Sequence, residues 1–342
     1  MSIIDTLQKK LGVEPPTVSI CMMGPRAVGK TTVVTSIFSK SQETVGDSKI
    51  FITPANANAN ELPSYESKLV AAIERQDHAN LPATEVESDF LFDLGILGKP
   101  STVKMSIQDY PGEYLTSDDS AKKQKLNDFA MQSHIILVAI DTPYLMEDDG
   151  RFNSEKNLPE VVMSYLTKHP DEISNKLVMF IPLKCERYYY ENRMNEVADR
   201  VLKTYKLEKS QELRSFFDNN NVASVIAPIL SLGGIEFDKM VDNTSGRGII
   251  SKLPQFRMYE ANPTYNPLFC SQPFYYLLTY VSRYYKWQRN QTSGFFARLR
   301  NSLNSYLTSD NEFLTEIGKM HTRILTNKHG YKVVTNNSII NF

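Results

Sequence analysis

Apolar positions fall into three patterns along this chain. Continuous apolar runs occupy Thr17–Met23 and residues 135–140, 177–181 and 222–230. A strand covered on both faces reads this way, so the runs predict central strands of a parallel sheet. Phe90, Phe92, Leu94 and Ile96 instead alternate with other side chains, as do Val103, Met105 and Ile107 after Gly98-Lys99-Pro100. Two period-two runs around a Gly/Pro turn predict an antiparallel hairpin at the edge of that sheet. Helical spacing marks residues 32–40, 62–76, 192–206 and an aromatic stretch at 273–288. Strands alternating with helices predict an α/β fold with right-handed crossovers. The expected architecture is three-layered, with a mostly parallel central sheet and one antiparallel edge hairpin.

The same patterns divide the chain. Residues 1–16 read as an N-terminal lead ended by Pro15-Pro16, and 17–290 as one α/β domain. Residues 41–83 are poor in strand signal and read as an insertion; residues 240–273, with Asn262-Pro263 and Asn266-Pro267, read as loop. Residues 291–342 read as a C-terminal helical appendage.

Composition narrows the function classes. Over 342 residues the formal net charge is −1, which gives no bulk electrostatic case for nucleic acid or a membrane surface. Cys21, Cys185 and Cys270 lie far apart beside apolar segments and read as buried thiols of a reducing compartment. The five histidines show no zinc-ligand spacing. With no signal-peptide pattern and no apolar run long enough to span a bilayer, a cytoplasmic location is expected.

The chemistry begins directly after the first apolar run. Gly24-Pro25-Arg26-Ala27-Val28-Gly29-Lys30-Thr31 fits G-x-x-x-x-G-K-[ST] between a strand and a helix. Backbone N–H groups of such a loop, and of the following turn at Thr32, point at a polyphosphate that the helix dipole also favours. Lys30 would reach the β- and γ-phosphates, and the Thr31 hydroxyl would sit on Mg²⁺. Asp109-Tyr110-Pro111-Gly112-Glu113 ends the second hairpin strand. Asp109 there can hold Mg²⁺ and the Gly112 N–H can meet the γ-phosphate; an ordinary Asp-Tyr-Pro-Gly turn is the plainer reading. Thr84, just before the hairpin, is placed to close on Mg²⁺ and the γ-phosphate, with Thr44 and Thr53 as substitutes.

Taken together, the loop, Thr84 and the hairpin ending in Asp109-x-x-Gly112 resemble the translation-factor-related, Ras-like class of P-loop GTPases over roughly residues 15–290. Met23-Gly24-Pro25-Arg26, Asp109-Tyr110-Pro111-Gly112-Glu113 and the segment from Asn262-Pro263 to Pro273 are similar to the bacterial double-GTPase families. The resemblance implies a Ras-like fold, GTP or GDP with Mg²⁺, and a role in bacterial conflict or anti-phage defence. Pro182-Leu183-Lys184-Cys185-Glu186 falls at the position of the family's [NT]-K-x-D base motif. By resemblance the Lys184 stem lies along the purine and Glu186 replaces the guanine-reading Asp, while Leu183 removes a strut. Ser231, in Leu230-Ser231-Leu232-Gly233-Gly234, resembles the start of the S-A-K base loop.

Two residues bear on hydrolysis. Glu113 stands where Ras-like proteins carry a water-orienting Gln, so it either activates the attacking water or only organises its loop. Arg26 is large for a phosphate loop; it could pair with Glu113 or reach a nucleotide in cis or across a nucleotide-dependent dimer. The expected function is a Mg²⁺-dependent GTPase switch whose loops around Thr84 and 112–116 control docking of an effector or partner protein. An ATPase on the same loop and a non-hydrolysing assembly scaffold are the rivals.

Overall fold

From the amino terminus the chain runs through β1 (Thr17–Met23), α1 (Lys30–Ser39), β2 (Ile50–Pro54), α2 (Leu62–Glu74), β3 (Ser88–Ile96) and β4 (Ser101–Asp109). It continues through α3 (Ser120–Gln132), β5 (Ile135–Asp141), α4 (Pro159–Thr167), β6 (Leu177–Leu183), α5 (Met194–Thr204), α6 (Glu212–Asn219) and β7 (Ala223–Ile226). After β8 (Ile235–Thr244) and β9 (Ile250–Met258) come the long α7 (Ser271–Gln291) and finally β10 (Lys332–Thr335). This computed structural model describes residues 15–41, 45–46, 48–74, 87–99, 101–244, 250–259, 264–291, 312–313, 315–319 and 330–341.

Eight strands form one sheet in the order β10-β7-β6-β5-β1-β4-β3-β2. β4, β1, β5, β6 and β7 are mutually parallel, and β3 runs antiparallel to β4. Alternation explains the continuous apolar runs. Ile20 and Met22 of β1, Ile135, Leu137 and Ala139 of β5, and Leu177, Met179 and Ile181 of β6 enter one core with α1 and α7. Cys21, Met23, Ile136, Val138, Ile140, Val178 and Phe180 enter a second core with α3, α4, α5 and α6. Helices on both faces make three layers, so every residue of β5 and β6 is buried, and β1 is buried from Ile20 onward. All three cysteines are buried, as their apolar neighbours suggest.

Three segments depart from expectation. The stretch read as an insertion contains β2, which pairs antiparallel with β3 and extends the sheet past the hairpin. Only Ile50 and Ile52 of its five residues are buried, too short an alternation to stand out in sequence. The loop expected over 240–273 contains most of an antiparallel ribbon of β8 and β9. A register shift between Phe237 and Lys239 breaks the period of two, and Pro254 demotes β9 as a strand. At the other end, residues 312–313 and 315–319 are helical, and β10 adds a strand to the expected helical appendage; it pairs antiparallel with β7, and Phe313, Ile317, Ile339 and Ile340 join the first core.

The parallel strands bring Met23, Asp109, Asp141 and Leu183 to one edge of the sheet. β1 lies between β4 and β5, so the crevice beyond its carboxyl end is the topological switch point where α/β sheets bind ligands. Among the described residues no helix is long and apolar enough to cross a membrane.

Candidate functional site

The loop after β1 delivers the start of α1 to this crevice. Gly29 is the N-cap of α1; no side chain caps that end, and no acidic residue lies in its first turn. Its N–H groups are therefore turned to whatever anion occupies the loop. Lys30 is 5% exposed, and its Nζ donates to the carbonyls of Gly24 (3.2 Å) and Pro25 (3.3 Å). Burial pushes the Lys30 ammonium below its usual range, and Asp109 opposes that shift. Thr32 is half-buried beside them, and Val28 anchors the loop in the first core.

Thr31 and Asp109 lie 78 residues apart in sequence, and the fold brings them into contact. The Thr31 hydroxyl donates to Asp109 Oδ2 at 2.6 Å, with Asp109 fully buried at the end of β4. A third group escaped the sequence reading: the Tyr65 phenol of α2 hydrogen-bonds to Thr31 and sits in the field of Asp109. Among the described residues no cluster of three or more His, Cys, Asp or Glu side chains could cage a metal by itself. One hydroxyl, one carboxylate and an open helix N-terminus instead suit Mg²⁺, which retains water and phosphate oxygens as ligands. The residues present thus fit a Mg²⁺–polyphosphate, with Thr31 and Asp109 as its protein partners. Thr84 lies outside the described residues.

Gly112 packs directly on the phosphate loop. A Cβ built on it would lie 2.1 Å from the Arg26 nitrogen and 2.3 Å from the Pro25 carbonyl carbon, so no other residue fits. Beside it, Arg26 Nη1 donates to Glu113 Oε1 at 2.6 Å. Of the roles open to Arg26, pairing with Glu113 is the one formed. The two side chains are 60% and 58% exposed, so solvent screens the pair and it adds little stability. It joins the Asp109-x-x-Gly112 turn to the loop.

At the other end of the crevice, Lys184 has a left-handed backbone (φ 59°) and reaches two elements. Its ammonium pairs with the Asp141 carboxylate and donates to the Ala27 carbonyl at 3.3 Å. The Phe256 ring of β9 lies 5.5 Å from the same ammonium. Asp141 is buried and braced by Asn157, whose amide accepts from the Asp141 N–H (2.8 Å) and donates to its carbonyl (3.0 Å). Asp141 also went unread in sequence, although a lone acid closing an apolar strand was its signal.

Glu186, at the position of the base motif, is engaged by the 231–234 loop. It is 2% exposed, and its Oε1 accepts from the Leu232 N–H (3.1 Å) and the Gly233 N–H (3.3 Å). Burial pushes its carboxyl above the usual range, while the loop N–H groups and Lys184 pull it back. Leu183 is fully buried in the first core. Ser231 is near this group but also buried, and its carbonyl accepts from Ser36 Oγ of α1 at 3.1 Å.

Strand, phosphate loop, helix, and an acid at the end of a neighbouring strand define a three-layer α/β P-loop nucleotide-binding fold. No protein-family model matches the sequence, and no curated protein sequence does. Solved structures similar to it include the S. cerevisiae Ski7 GTPase-like domain bound to GTP, at 14% identity and TM-score 0.40, covering 68% of this chain and 45% of that one. Sup35 complexed with GDP is similar at 12% identity and TM-score 0.30, covering 64% and 38%. The signal recognition particle receptor SRb-GTP/SRX complex from Chaetomium thermophilum is similar at 13% identity and TM-score 0.34, covering 63% and 91%. The chain spans about half or less of the length of the Ski7 and Sup35 chains.

Proposed function

We propose that this chain is a Mg²⁺-dependent GTP-binding protein that hydrolyses GTP to GDP and signals its nucleotide state to a partner protein. The observation that supports this best is the Thr31–Asp109 contact beneath the uncapped start of α1. The antiparallel β3 before Asp109 adds to it, since that hairpin is typical of the Ras-like class. Lys30 would exchange its loop carbonyls for phosphate oxygens, which restores a charge that burial disfavours. The metal would neutralise charge developing on the transferred phosphoryl group. Glu113 would have to leave Arg26 before meeting an attacking water, so the latched turn is a slow state. Its release, together with movement of Gly112 off the loop, would be the change a partner reads. The resemblance of the motifs at residues 24–26 and 109–113 to the bacterial double-GTPase families supports a role for such a switch in bacterial conflict or anti-phage defence.

A P-loop ATPase is the second reading, favoured by the engagement of Glu186 away from the base. Titration of GTP and ATP into the wild type and Lys30→Ala, with Mg²⁺ and with chelator, tests binding. Mg²⁺-dependent affinity abolished by Lys30→Ala is expected; binding indifferent to both would defeat the proposal. Single-turnover hydrolysis should slow in Glu113→Ala and Glu113→Gln. Unchanged rates in both would remove Glu113 from catalysis, and absence of GDP after long incubation would favour a scaffold.

A further inference from the structure

The base end of the crevice is tied up internally, on both sides of its hydrogen-bonding chemistry. Reading guanine requires a carboxylate with both oxygens presented to N1–H and the 2-amino group, and an N–H donor for O6. Glu186, the carboxylate at that position, already accepts two backbone N–H bonds on Oε1. Its extra methylene, relative to Asp, lets it reach past the crevice into the 231–234 loop. The Leu232 N–H, next to Ser231 in that loop, is one of the two donors so engaged.

Loop carbonyls are committed as well. Ser231 O accepts from Ser36, Leu232 O from the Asn266 N–H at 3.2 Å, Gly233 O from the Tyr190 hydroxyl at 3.2 Å, and Gly234 O from the Tyr259 N–H at 3.1 Å. Tyr190 and Tyr259 stack at 3.8 Å over this corner. Gly233 (φ 76°) packs so closely that a Cβ would lie 2.0 Å from the Asn266 carbonyl oxygen. A loop pinned by both its neighbours and its own backbone conformation will not turn freely to offer its edge to a ligand. Leu183, where a polar strut would help, is a core residue.

We propose that Glu186 is a positioning residue that clamps the 231–234 loop and does not read the base, so that the preference for GTP in the function proposed above is modest and other purine triphosphates are admitted. This rests on the P-loop nucleotide-binding reading above. A site that does hydrogen-bond a group rejects the analogue lacking it by about 10⁴–10⁵. Without that readout, inosine triphosphate, which lacks only the 2-amino group, and ATP should each bind within about tenfold of GTP, a difference of at most ~1.4 kcal/mol.

Competition of GTP, inosine, xanthosine and adenosine triphosphates against a fluorescent GTP analogue on the full chain tests this. GTP favoured over inosine triphosphate by more than tenfold overturns the proposal; a ratio at or below that supports it. In Glu186→Gln the side chain keeps an oxygen for the two loop N–H groups. The order of the four nucleotides should then stay that of the wild type, because Glu186 never met the base. A swing of tenfold or more toward xanthosine triphosphate would show Glu186 reading the purine and would also overturn it. Circular dichroism and thermal unfolding of the variant establish that it is folded, with Glu186→Asp as the second variant: shortening by one methylene withdraws the clamp and should lower the unfolding temperature with no gain of guanine preference. If Lys30→Ala leaves all four affinities unchanged, the nucleotide-binding reading fails, and that result is distinct from strict guanine preference in a Lys30-dependent site.

Discussion

Gly112→Ala tests the contact between the Asp109-x-x-Gly112 turn and the phosphate loop. The added methyl would sit 2.1 Å from the Arg26 nitrogen, where ordinary contact begins at 3.4 Å, so one loop must retreat by more than an ångström. The obstacle is backbone, and no flexible side-chain end can swing aside. Overpacking of this kind costs about 1–3 kcal/mol. Breaking the Arg26–Glu113 pair to lift the turn away adds at most ~1 kcal/mol, because both partners are exposed. In a domain of this size each kcal/mol lowers the melting temperature by about 2–4 °C. Urea unfolding of the nucleotide-free protein should therefore lose roughly 1–4 kcal/mol. Gly318→Ala, which meets nothing within 4 Å, serves as the control. On the proposed function, preference for GTP over GDP should also fall, because a displaced Gly112 amide would not reach the γ-phosphate. If Gly112→Ala unfolds with the control and keeps that preference, the turn does not rest on the loop and the switch argument built on it fails.

Thr31→Val removes the donor to buried Asp109 and should destabilise the protein by about 1–3 kcal/mol; calorimetric titration should show Mg²⁺ no longer improving nucleotide affinity, with Thr31→Ser restoring it. Burial, with Lys176 nearby, pushes the His134 pKa from its usual 6.5 down to about 4, while its Nδ1 accepts from the Ser19 N–H at 3.0 Å. The unfolded chain then binds a proton that the folded one refuses, so stability is whole above pH 6.5 and falls as pH drops toward 4, by at most about 3 kcal/mol. His134→Gln should flatten that slope in urea midpoints measured from pH 4 to 7, and an unaltered slope would refute the assignment. Ile340→Ala should cost about 2–5 kcal/mol, since the side chain is fully buried; a loss below about 0.5 kcal/mol, within the range of surface substitutions, would show that the chain end adds nothing to the core.

What could be read in advance follows from how local each signal is. The runs at 135–140 and 177–181 declared themselves because burial on both faces leaves no polar position, and the β3–β4 hairpin because nine-residue strands give several periods of alternation. β2 and β10 gave no such sign. They span five and four residues, and each exists because a neighbouring strand offers an edge, β3 to one and β7 to the other. That edge is made by residues far away in sequence, so no local window contains it. The β8–β9 ribbon was hidden differently, by a bulge and a proline inside an otherwise regular alternation.

At the site the same distinction separates phosphate from base. Recognition of a polyphosphate relies on backbone N–H groups whose direction is dictated by the strand–loop–helix path, and a motif that encodes the path encodes the chemistry. Gly112 belongs with it, because a close approach of backbones leaves only glycine. Reading a base relies on where one side chain points, and motif spacing is silent on that. Glu186 stands at the expected place in sequence, yet one methylene and two loop N–H groups turn its carboxylate inward. Tyr65 and Asp141 show the converse: neither belongs to a motif, but α2 folding against α1 and β5 ending beside β6 bring them to Thr31 and Lys184. A substitution at a backbone-reading position thus tests the fold, whereas one at Glu186 tests an orientation, and the nucleotide series distinguishes its two directions without requiring the clamp to break.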